Sequence, residues 1–314
     1  MGLRVLLFLG IFCSISWCTA QNSHYKEDFP DKITLRLALQ TTSNSFTLRD
    51  KITRNKTEFI PNDKSYLGLS ILFRFLEVDL GYAPNFLSEN KDNGDSKLIT
   101  FNIRTFFGQY MQTIDYYKQK GFFIRTQDIT LPIDDLKTLK IGGSSSYIFN
   151  PDFSFRAIGF QNEWQKQSVG SFIPSITYYY TKFKLEDSLI ENQLEKSFKM
   201  AIGPGYYYNW IFDENYLLSA GATGGLGFNY SSTDGENSFN GLAQLVFRMT
   251  GGYNSESFFG GVNINTQLLS HTSDENFILD DSISFLEFYV GFRFDAPKKW
   301  IAKADEISRK FGIE

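Results

Sequence analysis

Long runs in which apolar and polar side chains strictly alternate dominate this sequence. Such a run builds a strand with two different faces. In Ile33-Thr34-Leu35-Arg36-Leu37-Ala38-Leu39-Gln40 the odd positions are apolar, while Thr34, Arg36 and Gln40 point the other way. Ile99, Phe101 and Ile103 alternate with Thr100, Asn102 and Arg104. The pattern returns over 216–230, 239–249, 258–268 and 284–294, where Leu286, Phe288, Val290, Phe292 and Phe294 are interleaved with Glu287, Tyr289 and Arg293. The runs extend over roughly 9–15 residues, beyond the about 5–6 usual in soluble sheets.

Two folds satisfy this pattern with opposite faces inward. A soluble sandwich or lipocalin-like barrel buries its apolar face, whereas a transmembrane barrel turns it to lipid and lines its lumen with the polar one. Three features favour the membrane. The strand length suits a tilted span of about 9–11 residues. Aromatics make 17% of the chain and cluster near strand ends, as in Tyr178-Tyr179-Tyr180, Tyr206-Tyr207-Tyr208-Asn209-Trp210 and Phe258-Phe259, where interfacial girdles belong. The third is an export signal. Arg4 precedes an apolar stretch from Val5 to Trp17 and a Cys18-Thr19-Ala20 cleavage site, too short for a spanning helix. Bulky residues before Cys13 and Cys18 disfavour a lipoprotein. Both cysteines of the chain lie in this segment, so the exported part has no disulfide, thiol nucleophile or Cys-ligated metal.

The expected fold is therefore all-β: an antiparallel transmembrane β-barrel over 21–295, in the outer membrane of a Gram-negative cell. Strands are expected near 33–41, 64–73, 76–86, 97–107, 109–124, 138–149, 153–162, 170–184, 196–210, 215–230, 238–250, 257–269 and 281–295. These thirteen segments must reduce to an even number, about twelve within a range of roughly 10–14. Residues 44–60 could hold a further strand, and 153–162 could belong to a loop. Tyr289-Val290-Gly291-Phe292-Arg293-Phe294 looks like the terminal assembly signal of outer-membrane barrels, though a tail follows it. Within 296–314, Trp300, Ala304, Ile307 and Phe311 share one face and Gly312 follows, which predicts a short C-terminal amphipathic helix, a periplasmic cap on the barrel rim, with interfacial membrane contact or a partner site as the alternatives.

Pro61-Asn62-Asp63-Lys64-Ser65-Tyr66-Leu67-Gly68 and the residues following to Gly81 resemble an early hairpin motif in a family of uncharacterised Bacteroidetes proteins. Tyr147-Ile148-Phe149-Asn150 with Phe153-Ser154-Phe155-Arg156-Ala157, and Asn162-Glu163-Trp164-Gln165-Lys166-Gln167-Ser168 through Ser171, are similar to its central motif. The family is a domain of unknown function whose members are predicted outer-membrane β-barrels. The resemblance spans nearly all of the exported chain; it implies fold and location and brings no activity.

Chemistry is sparsely signalled. The two histidines, His24 and His271, give no metal spacing, and no phosphate-binding glycine loop with Lys and Ser/Thr exists, so no cofactor or metal is expected. A net charge of −4 without a basic stripe excludes a nucleic-acid binder. Gly221 to Gly227 sits inside an alternating strand, where close approach of a neighbour explains it. Asp92 and Asp95 belong to a solvated outer loop, with weak Ca²⁺ binding the alternative. His271-Thr272-Ser273 has the spacing that puts a general base and a nucleophile on one strand face, as in barrel-wall lipid hydrolases, but the acidic residues after it mark a polar loop. Glu163, Gln165 and Gln167, with Arg156, predict an inward polar network stiffening the lumen, with a ligand or translocation site as the alternative. The leading expectation is a structural or passive-transport envelope component, surrounded by outer-membrane lipid and lipopolysaccharide and inserted by the barrel assembly machinery. A lipid hydrolase using His271 and Ser273, and a secreted soluble ligand-binding barrel, are the alternatives.

Overall fold

The computed structural model describes residues 25–61, 64–84, 86–87, 97–159, 162–185, 193–233, 235–274 and 276–311. The expected signal segment 1–20, His24, Asp92 and Asp95 lie outside them. A short strand β1 (Lys26–Asp28) stands apart from the main sheet. The first part of the barrel wall comprises β2 (Lys32–Asp50), β3 (Lys56–Pro61), β4 (Lys64–Phe73), β5 (Leu76–Tyr82), β6 (Lys97–Phe107), β7 (Tyr110–Arg125) and β8 (Thr130–Tyr147). A 3-10 turn over Arg156–Gly159 and the three-residue β9 (Glu163–Gln165) then leave the wall. It resumes with β10 (Val169–Phe172), β11 (Ser175–Leu185), β12 (Gln193–Gly203), β13 (Gly205–Phe212), β14 (Tyr216–Thr233), β15 (Glu236–Asn254), β16 (Phe258–Asp274) and β17 (Phe277–Asp295). Helix α1 (Lys298–Phe311) follows.

The sheet closes where β17 pairs with β2 along its whole length, from Phe277 opposite Asp50 to Asp295 opposite Lys32. All pairings are antiparallel. Pro174 and Pro204, which have no N–H to give a ladder, interrupt two wall strands. Their carbonyls still accept, from Tyr147 N at 3.1 Å and Gly224 N at 3.1 Å, so β10–β11 and β12–β13 each act as one. At its lower end the ring therefore has twelve members: β2, β4, β5, β6, β7, β8, β10–β11, β12–β13, β14, β15, β16 and β17. Segment 153–162 is not among them. Its described residues, 153–159 and 162, carry the 3-10 turn and fold inward, which removes the odd strand.

The upper end is narrower. At Gly121 the backbone takes φ 87° and the β7–β8 register slips between Lys120 and Phe122. A left-handed turn of this kind favours glycine. Beyond it β7 crosses the tops of β5 and β6 and pairs with β3, from Phe122 opposite Pro61 to Arg125 opposite Glu58. Near this rim the ring is β2, β3, β7, β8, β11, β12, β14, β15, β16 and β17. The lower rim is defined by tight turns at Arg74–Phe75, Gly108–Gln109, 213–215 and 255–257.

Exposure settles which face is which. Leu37 is 57% exposed, Leu245 54% and Phe292 55%, whereas Arg36, Asn44 and Glu287 are buried. Apolar side chains cover the outside and polar ones fill the inside, the reverse of a water-soluble barrel and the arrangement lipid requires. β14, with 18 residues, rises roughly 47 Å at about 3.4 Å per residue and ~40° tilt, more than the ~25 Å apolar band of a barrel. An aromatic girdle follows the lower rim through Phe75–Phe107, Tyr110–Tyr147, Tyr147–Phe149, Phe149–Phe172, Tyr216–Tyr253 and Phe258–Phe292, with ring centroids 4.8 to 6.3 Å apart. Inside, Tyr207 lies flat across Gly221 of the neighbouring strand, so close that a Cβ there would enter the ring. That contact is the reason for one glycine of the 221–227 run.

Candidate functional site in the barrel lumen

The lumen is organised in three tiers. In the lowest, the segment between β8 and β10 inserts Phe153, Phe155 and Ile158 against Phe106, Met111, Ile173 and Tyr207 of the wall, forming a buried apolar cluster. Polar bonds shape this plug from within. Arg156 Nη1 pairs with Glu163 Oε1 at 2.8 Å, and Ser154 Oγ donates to Glu163 Oε2 at 2.5 Å. Gln165 Oε1 accepts from Ser154 N at 2.7 Å and from Asn209 Nδ2 of the wall at 3.2 Å, while its Nε2 donates to Tyr25 O and Asp152 O, each at 2.9 Å. β1 pairs with β9, from Lys26 opposite Gln165 to Asp28 opposite Glu163, and so straps the N-terminal segment onto the plug. Trp164, alternating with these two, donates its Nε1 to Glu214 O at 3.0 Å.

Arg156, Glu163 and Gln165 are thus brought together, on the plug and not on a wall strand. Gln167 falls past the end of β9 in a bend, half-buried, and stands outside the Arg156–Glu163–Gln165 group.

The middle tier is a cavity of about 190 Å³. Its charges come from alternate residues of adjacent strands. Arg36 donates to Ser70 Oγ at 2.9 and 3.1 Å and pairs with Asp79 at 3.3 Å, Glu287 at 3.6 Å and Glu77 at 3.7 Å. Arg104 Nη1 meets the other oxygen of Glu77 at 2.7 Å. Tyr179 Oη donates to Asp115 Oδ2 at 2.7 Å, and Thr42 and Tyr66 share a short hydroxyl–hydroxyl bond. A confined carboxylate and guanidinium gain from mutual pairing because neither has bulk water.

The upper tier spans the lumen with charged side chains. Asp281 Oδ1 accepts from Lys140 Nζ at 2.5 Å and Asp281 Oδ2 from Lys199 Nζ at 2.7 Å; Lys140 also donates to Asn44 Oδ1 at 3.1 Å. These three charged side chains are each at most 2% exposed. Nearer the upper rim Phe46, Phe122 and Leu136 form an apolar cluster joined by Phe59 and Phe183, with Phe46 and Phe183 edge-on at 5.8 Å. Lys140 sits 5.4 Å from the Phe46 ring centroid.

His271 and Ser273 do not form a dyad. His271 is 4% exposed and buried within the lumen, and among the described residues its Nδ1 has no hydrogen-bond partner. The β16–β17 register shifts between Thr272 and Asp274. A bulge breaks the alternation that would put i and i+2 on one face, and Ser273 is exposed. The two residues belong to the upper end of a strand rather than to a free loop. Among the described residues no group of three His, Cys, Asp or Glu side chains could hold a metal ion.

Sequence reasoning missed the Lys140–Asp281–Lys199 lock. Lys140 and Lys199 lie on the polar side of alternating strands, which was a signal for lumen charge. Their convergence on one carboxylate depends on the barrel's closure, which no local pattern carries.

A closed antiparallel sheet, apolar outside and filled with ion pairs inside, defines a transmembrane β-barrel. The chain belongs to the family described as Domain of unknown function (DUF4421), whose model matches residues 21–294; the segments 61–81, 147–157 and 162–171 fall within that match. No curated protein matches. Among solved structures the chain is similar to the outer membrane protease OmpT of Escherichia coli, at 8% identity and a TM-score of 0.35 over 85% of this chain and 98% of that one. It is similar also to OmpT, an outer membrane protein of Vibrio cholerae, at 10% identity and 0.36 over 84% and 97%. The outer membrane protein OprG of Pseudomonas aeruginosa gives 11% and 0.26 over 86% and 98%. Likeness at this level carries no functional information.

Proposed function

We propose that this protein is an outer-membrane barrel whose resting lumen is sealed, a structural envelope component and not a standing pore. The observation that carries this reading is the succession of barriers along one lumen: plug, ion-paired midsection of about 190 Å³, and the Lys140–Asp281–Lys199 lock beneath an aromatic cap. A hydrated solute needs a continuous polar path, and both ends of this one are filled by side chains in mutual contact. The apolar belt, the girdle and the export-like first twenty residues support an outer-membrane location, with lipid and lipopolysaccharide around the belt and the barrel assembly machinery as insertion partner. Planar-bilayer recording of the purified protein tests the sealed lumen. The expected trace stays at baseline, and stable unitary currents from the wild-type chain would refute the reading.

A further inference from the structure

Helix α1 follows β17 directly and packs under the lower rim through Ala304, which is 7% exposed. Arg74, in the β4–β5 turn, fixes its height by pairing with Asp305 at 2.8 Å and with Asp31 at 3.1 Å. Trp300 lies about 40° from Ala304 around the helix, at the outer edge of the same apolar face. It is 53% exposed and stands edge-on to Phe73, with ring centroids 6.2 Å apart at 62°. Phe73 points outward from β4, in line with Leu67, Leu69 and Ile71, all exposed on the lipid side. Trp300 therefore continues the apolar belt downward, off the barrel and onto the helix. At 100° per residue, Ile307 falls beside Trp300 on the helical wheel, and Lys299, Lys303 and Lys310 fall in an arc next to that stripe. Asp305 is held by Arg74, and Lys303, at the exposed edge of this arc, also pairs along the helix with Glu306 at 2.8 Å. An indole at the edge of a hydrocarbon layer, flanked by lysines that can reach phosphates, is how a helix lies in an interface.

We propose that α1 is an in-plane anchor seated on the periplasmic leaflet, with Trp300 and Ile307 at the acyl boundary and Lys299, Lys303 and Lys310 on anionic phospholipid headgroups. This rests on the transmembrane reading of the barrel, and continuity with the lipid-facing belt identifies the occupant as lipid.

The test uses nitroxide labels on single cysteines in the full chain, with Cys13 and Cys18 replaced by serine, reconstituted in vesicles of phosphatidylethanolamine and phosphatidylglycerol in equal parts. Ile307→Cys keeps Trp300 in place, Arg309→Cys reports the opposite side of the helix, and Leu245→Cys reports the barrel belt. The expected result is a deep lipid signal at 245, an interfacial oxygen-to-nickel-chelate accessibility ratio at 307 several-fold above that at 309, and loss of that difference in K299E/K303E/K310E. Equal aqueous accessibility at 307 and 309, with 245 still in lipid, would overturn the anchor while leaving the barrel intact. An aqueous signal at 245 would overturn both. An unchanged 307 signal in the triple variant would overturn the headgroup contact.

Discussion

Lys140 and Asp281 meet at 2.5 Å across the barrel lumen although 141 residues separate them in sequence. One sits on β8 and the other on β17, strands not adjacent in the ring. Lys199 on β12 completes the group at 2.7 Å. A carboxylate shared by two buried ammonium groups holds the upper wall across its diameter, a task that neighbouring hydrogen-bonded strands cannot perform.

Asp281→Leu strands two buried ammonium groups. It is expected to destabilise the barrel by about 3–5 kcal/mol, the usual effect of removing one partner of a buried pair. K140M/K199M/D281L, which removes all three charges, is expected to regain most of that loss. Urea midpoints in detergent micelles, read by the unboiled gel band, check both. Equal stability of D281L and wild type would mean that the lock is hydrated and not buried.

Gly221→Val drives a side chain into the Tyr207 ring. Overpacking of this kind costs about 1–3 kcal/mol, and Tyr207→Ala in the same chain should relieve part of it. Non-additivity in this double-mutant cycle measures the contact, and strict additivity would deny it.

A sealed lumen with the plug and the lock in series implies that opening one alone should pass no current. Shortening the plug between Asp152 and Gln165 is expected to leave planar bilayers silent, as is K140M/K199M/D281L. Combining the two with Phe46→Ala and Phe122→Ala should produce conductance. Current from the plug deletion alone would show that the upper tier is open.

His271→Ala and Ser273→Ala should leave wild-type behaviour toward labelled phospholipid unchanged, because the bulge at 272–274 separates the two side chains. Wild-type hydrolysis abolished by His271→Ala would reinstate the hydrolase.

Much of the wall was legible in the sequence because a barrel writes its two faces into alternate residues. Arg36, Glu287 and Arg293 fall on the inner face, and Leu37, Phe288 and Phe292 on the outer, as their parity predicts. Local signals misled where chain connectivity decides the outcome. Segment 153–162 has strand-like composition, yet Phe153, Phe155 and Ile158 fill the lumen as a plug, since an apolar cluster inside a polar barrel satisfies them without a wall position. The crossing of β7 over β5 and β6 follows from Gly121, a single glycine that reads the same as any other until its φ is seen. Arg156, Glu163 and Gln165 were recognisable as one polar group from their spacing. Gln167 was not separable from them, because the end of β9 is set by its pairing with β1 and not by its own composition.

The most direct measurement is heat-modifiability: an outer-membrane extract run in SDS, unboiled beside boiled, on one gel. A closed barrel with every wall strand hydrogen-bonded to two neighbours resists the detergent, so the unboiled protein should sit in the membrane fraction and migrate faster than the boiled one. Recovery in the soluble periplasmic or secreted fraction, with no shift between lanes, would contradict the account.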